Sequence, residues 1–350
     1  MLRRSSRGAP PRRPRSEAAR TVKGAMQNLQ IRIKRPPTGP GDFELVEAPA
    51  PRLTNGGLLC RARWLALDPF LCAPAGGVSP DALKPGDLVP ALGVCEVIES
   101  RHDVFSAGQN VVLECGLQQL CASDGRHVTG LHPGQTPAST ALGILGPPGM
   151  AAYFGLLDLG ALRAGETVLV SAASNAAGAM AGQIAMLKGA RAIGIAGSKE
   201  KCDWVLRHAR FSACINYRCE SLTARLKQLA PHGVDVYFDS SGGELLETIV
   251  AGHHVAPGGR VVLNSVRRTD PAELVRRTGY SPRTDALRVL RVNVQNYEHR
   301  RGEFLREAIA CYGAGRLACK EDIVEGLENA PARLYMAMRG ENFGRPLVRV

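Results

Sequence analysis

The chain has 350 residues, 45% of them hydrophobic and 22% charged, so its length predicts two domains and its composition a soluble globular protein. No apolar run approaches the roughly 20 residues of a membrane-spanning helix, and the most apolar stretch, 141–162, is broken by Gly143, Gly146, Pro147, Pro148 and Gly149, which argues against a membrane as partner. Most of the formal net charge of +12 lies in residues 1–25, which hold seven arginines, Lys23 and the single acid Glu17 but no aromatic residue for base stacking, so nucleic acid is not expected as a partner either.

Residues 1–25 read as a basic disordered extension. Their Arg-rich, acid-poor bias is that of an organelle transit peptide, but Pro10, Pro11 and Pro14 interrupt an amphipathic helix, and Met26 heads an ordinary strand, MQNLQIRIK. No secretory apolar core is present, and a cytoplasmic chain is expected. From residue 27 to about 130, short β segments follow one another: NLQIRIKR, FELVEAP, GLLCRARWLAL, DLVPALGVCEVIES and NVVLECG. Turn signals such as TNGG at 54–57 and KPGD at 84–87 separate them, and together they predict a β-rich domain over 26–145. The ten cysteines, from Cys60 to Cys319, contain no C-x-x-C pair; zinc-lobe spacing is absent, no metal is expected, and free thiols in a reducing cytosol are predicted.

Beyond residue 146 the pattern changes. A helix is expected from near Pro148 to near Gly160, and strands then alternate with helices from TVLVSA at 167 to GRVVLNS ending at 265. Such alternation predicts βαβ units and a doubly wound parallel sheet. A further strand is expected over ALRVLRVNVQNY and a helix over GEFLREAIACYGAGRL, which completes a Rossmann-type domain over 146–315. The last segment, 316–350, holds a strand, a helix and a strand that return to the first domain.

The first turn of the parallel sheet, VLVSAASNAAGAMAGQIAMLKG at 168–189, carries the cofactor expectation. A dinucleotide turn needs small residues so that the chain reverses tightly and the backbone approaches the pyrophosphate, which then meets the N–H groups at a helix N-terminus. Here Ala176, Ala177 and Gly178 open the helix, and Asn175 stands where the fingerprint has its first glycine. Asparagine tolerates the left-handed conformation best after glycine, so the turn is expected to survive with Asn175 left-handed. At the tip of the next strand an NAD site places an acid, whereas in this chain Ser198, Lys199 and Lys201 surround the tip with Glu200 between them, and the hydroxyl and two cations suit the 2′-phosphate of NADP.

The runs LGILGPPGMAAYFGLLDLG, VLVSAASNAAGAMAGQIAMLKG, GIAGSKEKCDWV, INYR, GVDVYFDSSGG and GENFGRPLVRV resemble the zinc-independent medium-chain dehydrogenase/reductases, in the group of the prostaglandin, leukotriene and 2-alkenal reductases. The resemblance covers about residues 28–350. It implies an α/β fold in which a GroES-like β domain joins a Rossmann doubly wound parallel sheet. It also implies NADPH-dependent reduction of the carbon–carbon double bond of α,β-unsaturated carbonyl compounds, small molecules, and a homodimer. A quinone or enoyl-thioester reductase, or a non-enzymatic member that binds NADPH, is the alternative.

Carried over by position, the resemblance puts the cofactor phosphates near Ala176, Ala177 and Gly178, Lys201 and Tyr217 at the 2′-phosphate end, and Asn342 on the nicotinamide side. Phe70, in ALDPF, matches a segment that lines the cleft. The departures cluster on the nicotinamide side, where Ser240 stands for an asparagine, Asn264 for a glycine, Arg267 for a serine and Thr269 for a tyrosine. Hydride delivery to the β-carbon builds charge on the carbonyl oxygen, and a ribose hydroxyl and backbone groups serve it in this family, so no catalytic residue is designated. Arg267 and Arg268 follow the strand GRVVLNS on the cleft side of the sheet, where Arg267 is a candidate for binding an acidic group of the substrate.

Overall fold

The computed structural model describes residues 27–69, 83–264, 271–278 and 287–350, so the basic extension at 1–25 lies outside it. The first elements are β1 (Gln27–Ile33), β2 (Phe43–Pro49), β3 (Leu58–Ala66), β4 (Leu92–Ser100), β5 (Asn110–Glu114), β6 (Leu120–Ser123) and β7 (Thr129–Gly130). Helix α1 (Pro147–Phe154) leads to β8 (Thr167–Val170), α2 (Ala176–Leu187), β9 (Arg191–Ala196), α3 (Lys199–Arg207), β10 (Ala213–Asn216), α4 (Leu222–Leu229) and β11 (Val234–Asp239). Then come α5 (Gly243–Ala251), β12 (Val255–Leu263), α6 (Pro271–Thr278), β13 (Arg288–Arg291), α7 (Arg301–Gly313), β14 (Glu321–Glu325), α8 (Ala330–Met338) and β15 (Arg345–Arg349).

In β3 the sequence alternates as a half-buried strand requires. Leu58, Cys60 and Ala62 are buried while Arg61 and Arg63 are exposed, and a register shift between Ala62 and Trp64 returns Leu65 to the interior. Among the described residues this sheet runs β14-β15-β3-β4-β5-β7, with β6 on β3. The chain's last strand therefore returns to its first part: β15 lies antiparallel to β3, with Leu347 opposite Ala66 and Val348 opposite Leu65.

The second sheet runs β10-β9-β8-β11-β12-β13, all parallel. This is the doubly wound order, and its reversal between β8 and β11 opens a crevice at the strands' carboxyl ends. Val168, Leu169 and Val170 of β8 are all fully buried, because helices cover both faces of such a sheet. Close packing of α2 on the sheet depends on two glycines: a Cβ at Gly178 would lie 2.4 Å from the Ala172 carbonyl oxygen, and one at Gly182 would enter the Phe211 ring.

Below the sheet, Arg260 of β12 donates from Nη1 and Nη2 to both carboxylate oxygens of Glu166 (3.0 and 2.6 Å) and from Nε to the Gly160 carbonyl oxygen (2.7 Å). The pair is almost wholly buried and fastens the α1–β8 connection to the sheet.

Two expectations change. The strand expected over ALRVLRVNVQNY is confined to Arg288–Arg291, and a 3-10 turn over Val294–Arg300 replaces the rest. The Asn293 side chain accepts the Gln295 N–H (3.1 Å) and so diverts the backbone from the ladder. The helix toward Gly160 ends as α1 at Phe154, followed by a single π turn over Gly155–Leu159, where Gly155 lies against Phe238 and Val262. Beyond the end of α5, His253 has a φ of 51°, and His254 is buried near the Thr223 hydroxyl.

Candidate functional site

A cavity of about 480 Å³ lies between the two sheets. Its walls are the carboxyl ends of the parallel strands (Ala172, Asn175, Gly197, Tyr217, Ser240), the segment 337–346, and Asp68 with Pro69 after β3.

At its centre the turn after β8 takes a form different from the expected one. Asn175 is extended, with a φ of −83°, and is the N-cap of α2; the left-handed residue is Ala172, at φ 48°. The strain of the turn therefore falls three residues earlier than the missing glycine suggested, and asparagine is accommodated at 175 because the backbone there needs no special conformation. Asn175 makes no side-chain capping bond to its own helix, and a helix leaves its first N–H groups unpaired, so Ala176, Ala177 and Gly178 present donors and the positive end of the dipole. Replacing Ala172 by glycine is expected to stabilise the fold by about 0.5–1 kcal/mol, because relief of a left-handed alanine outweighs the added chain entropy. A denaturant midpoint that falls would contradict this.

Asn175 is held from the other side of the cleft. Asn342, 4% exposed, donates from Nδ2 to the Gly344 carbonyl oxygen (2.7 Å) and reaches Asn175 Oδ1 at 3.4 Å.

The tip of β9 carries the positive charge. Ser198 caps α3, its Oγ accepting the Lys201 N–H at 3.2 Å. The Lys201 side chain lines the cavity and donates to the Gly340 carbonyl oxygen at 2.6 Å. Burial pushes its ammonium below the usual lysine range, and the Arg218 guanidinium nearby adds to this. Tyr217 stands against Gly197, and Arg218 lies over the Tyr217 ring, 6.0 Å from its centroid. Lys199 is turned away and paired with Asp203 (2.6 Å) on the helix surface. The fold thus separates the two lysines of the SKEK run, and it adds Arg218, a cation that sequence reading passed over although it follows Tyr217.

At the ends of β11 and β12, Asp239 is wholly buried and anchors the crevice. It accepts from the Tyr237 and Ser171 hydroxyls (2.7 and 3.0 Å) and from the N–H groups of Gly242 and Ser241 (2.8 and 3.3 Å). Burial pushes its carboxyl up against the pull of these donors. Ser171 Oγ in turn accepts the Ser240 N–H (2.8 Å), and Ser240 Oγ accepts from Asn264 Nδ2 (3.1 Å). Two of the departures from the family pattern, Ser240 and Asn264, are therefore partners.

On the opposite wall Arg345, 8% exposed, holds both carboxylate oxygens of Asp68 and donates from Nε to the Leu142 carbonyl oxygen (2.8 Å). Sequence reading missed Arg345; the only signal was an arginine opening an otherwise apolar final strand. Phe70, Arg267, Arg268 and Thr269 lie outside the described residues.

Two family models match the chain: an N-terminal domain of oxidoreductase over residues 29–131, and a zinc-binding dehydrogenase over residues 176–295. Prostaglandin reductase 1 of Bos taurus is 35% identical over 320 residues, 88% of this chain and 94% of that protein. The NADPH-dependent curcumin reductase of Escherichia coli (strain K12) is 32% identical over 332 residues, 89% of this chain and 92% of that protein. Among solved structures, that of CurA in complex with NADPH from Vibrio vulnificus superposes with a TM-score of 0.82 at 29% identity, over 92% of this chain and 99% of that one.

Proposed function

The chain belongs to the zinc-independent medium-chain dehydrogenase/reductases, in the group of the prostaglandin, leukotriene and 2-alkenal reductases, and we propose that it uses NADPH to reduce the carbon–carbon double bond of small α,β-unsaturated carbonyl compounds. It is an NADP-dependent oxidoreductase acting on CH–CH groups. The observation that carries the reading is Lys201: a half-buried ammonium at the tip of the second parallel strand, lining the cleft with Arg218 nearby, in the place where an NAD site keeps an acid.

On this reading Ala176, Ala177 and Gly178 receive the pyrophosphate on the N-terminus of α2, with Asn175 at its edge. Lys201, Arg218, Ser198 and Tyr217 hold the 2′-phosphate end. Ser240, Asn264 and Asn342 face the nicotinamide. Residues 26–145 with 316–350 form the substrate domain and 146–315 the NADP domain. The small residues of the first turn support the fit, since a Cβ at Gly178 would strike the Ala172 carbonyl oxygen, so the backbone there is as close as a dinucleotide turn requires.

When bound, NADPH supplies the hydride for the β-carbon. Negative charge then grows on the carbonyl oxygen, and fixed donors there lower the barrier. Ser240 lines the cleft and accepts the Asn264 amide at 3.1 Å, a bond that does not use its own hydroxyl proton. Asp239 keeps the Ser240–Gly242 turn in place through the Ser241 and Gly242 N–H groups. A homodimer and a cytoplasmic location complete the proposal; sedimentation velocity tests the first, and the described cysteines, all free, suit the second.

The test is a titration of the purified chain with NADPH, followed by nicotinamide fluorescence, and then addition of short enones, enals, quinones and enoyl thioesters. Binding with NADPH oxidation by enones and enals is the expected result. Absence of NADPH binding defeats the reading, turnover of quinones alone moves the chain to a sibling activity, and binding without turnover leaves a cofactor-binding protein.

A pH dependence follows from Lys201. The ammonium form is the one that binds phosphate, so binding raises the lysine's pKa. NADPH affinity is full below the free-state value and falls as pH rises through it toward the bound-state value. Burial has already moved the free-state value down, so the decline begins below the usual lysine range. The NADPH-to-NADH affinity ratio, measured across alkaline pH, should fall; a flat ratio would exclude Lys201 as the phosphate ligand.

A further inference from the structure

Four cysteines scattered over the first 121 residues meet inside the antiparallel sheet, and none of them lines the cleft. Cys60 is on β3, Cys95 on β4, Cys121 on β6, and Cys115 directly follows β5. All four are buried, with exposures of 0, 0, 3 and 5% in that order, within one apolar cluster that includes Leu58, Val97 and Leu113. The sulfur atoms of Cys95, Cys115 and Cys121 all lie within 4.8 Å of one another. Cys60 sits opposite Cys121 in the β3–β6 register.

A single buried cysteine behaves as a small hydrophobe and calls for no ligand. Convergence from separate strands is a different arrangement. Metal–thiolate bonds of about 2.3 Å in tetrahedral or trigonal geometry place ligand sulfurs ~3.8 Å apart, inside the envelope these three occupy. The space is kept open by Gly93, where a Cβ would lie 2.5 Å from the Cys115 sulfur and 3.2 Å from that of Cys95. Any residue with a side chain at 93 would intrude on the sulfurs.

We propose that Cys95, Cys115 and Cys121 form a buried structural site for a thiophilic d10 cation, Zn²⁺ or Cu⁺. The all-sulfur donor set selects these ions over Mg²⁺, Ca²⁺ or Mn²⁺, and a closed set of thiolates is structural rather than catalytic. Thiolates in an apolar core are costly alone; Zn²⁺ displaces two thiol protons to solvent and Cu⁺ one, the remaining sulfur ligands staying protonated, so the loaded site carries no net charge. The site stands apart from hydride transfer and holds or fails independently of it.

The full chain, expressed and desalted without oxidant, is assayed for zinc and copper by inductively coupled plasma mass spectrometry. Metal-free protein is then reloaded anaerobically with Zn²⁺ in one arm and Cu⁺ in the other. About one ion per chain is expected in one arm, with a raised melting temperature in the wild-type chain and blocked thiol titration. Cys95→Ala with Cys115→Ala should lose the ion, whereas Cys219→Ala, at an exposed cysteine, should keep it. The wild-type melting shift keeps the test decisive where the double variant fails to fold. Absence of stoichiometric metal in both arms, retention of metal by a folded double variant, or a native disulfide within the four would overturn the proposal.

Discussion

Lys201→Ala is expected to weaken NADPH binding by about 10- to 100-fold and NADH binding by less than about twofold. The two cofactors differ only in the 2′-phosphate, so a contact to that group appears in the difference between them. A hydrogen bond to a charged group is worth about 1.5–3 kcal/mol, and Lys201 is half-buried, where solvent screens it less than a surface lysine. On the proposed assignment Arg218, close enough to act on the Lys201 ammonium, retains part of the attraction, which sets the loss toward the lower end; Lys201→Ala with Arg218→Ala should exceed either change alone. Fluorescence titration of both cofactors measures it. An equal loss for NADH and NADPH would place Lys201 elsewhere, as a strut between α3 and the Gly340 carbonyl oxygen.

Arg260→Ala is expected to cost about 3–5 kcal/mol of stability while leaving the NADPH preference over NADH unchanged. The guanidinium is 8% exposed and Glu166 17% exposed, and the bonds to Glu166 and Gly160 are lost together. What remains is a buried carboxylate without its cation. Replacing both partners by apolar residues, Arg260→Met with Glu166→Leu, should recover most of the loss, because the cost lies mainly in the unpaired charge. Burial works to raise the Glu166 pKa, but the Arg260 guanidinium holds it below the usual carboxylate range. A depressed pKa contributes stability above the unfolded value that is lost as pH falls through the folded value. The gap between wild type and Arg260→Ala should therefore narrow in acid. Denaturant melts at neutral and acid pH test this, and a gap that widens in acid would contradict it.

Periodicity located most elements because the local pattern agrees with the final burial. Val168, Leu169 and Val170 form a continuous apolar run for a strand covered on both faces, and Leu58, Cys60 and Ala62 alternate for a strand covered on one. The reading failed where a side chain took over the backbone's bonds, as Asn293 does at the end of β13. It also misplaced the strain of the cofactor turn, since the residue type at 175 does not reveal that the left-handed residue is Ala172.

The sequence by itself determined the order of strands and helices, the dinucleotide-type turn and the basic tip after β9. Each of these is set within a contiguous stretch of chain, by side-chain period, capping or charge. Only the tertiary structure decided which groups meet across the cleft and the core. Asp68 and Arg345 are 277 residues apart, Lys201 and the Gly340 carbonyl 139 apart, and the cysteines of the buried cluster come from separate strands without a spacing motif. Such pairs are set by the crossing of strands and the return of the chain's last segment, because two charges or two sulfurs interact only when the packing of everything between them brings them to contact distance.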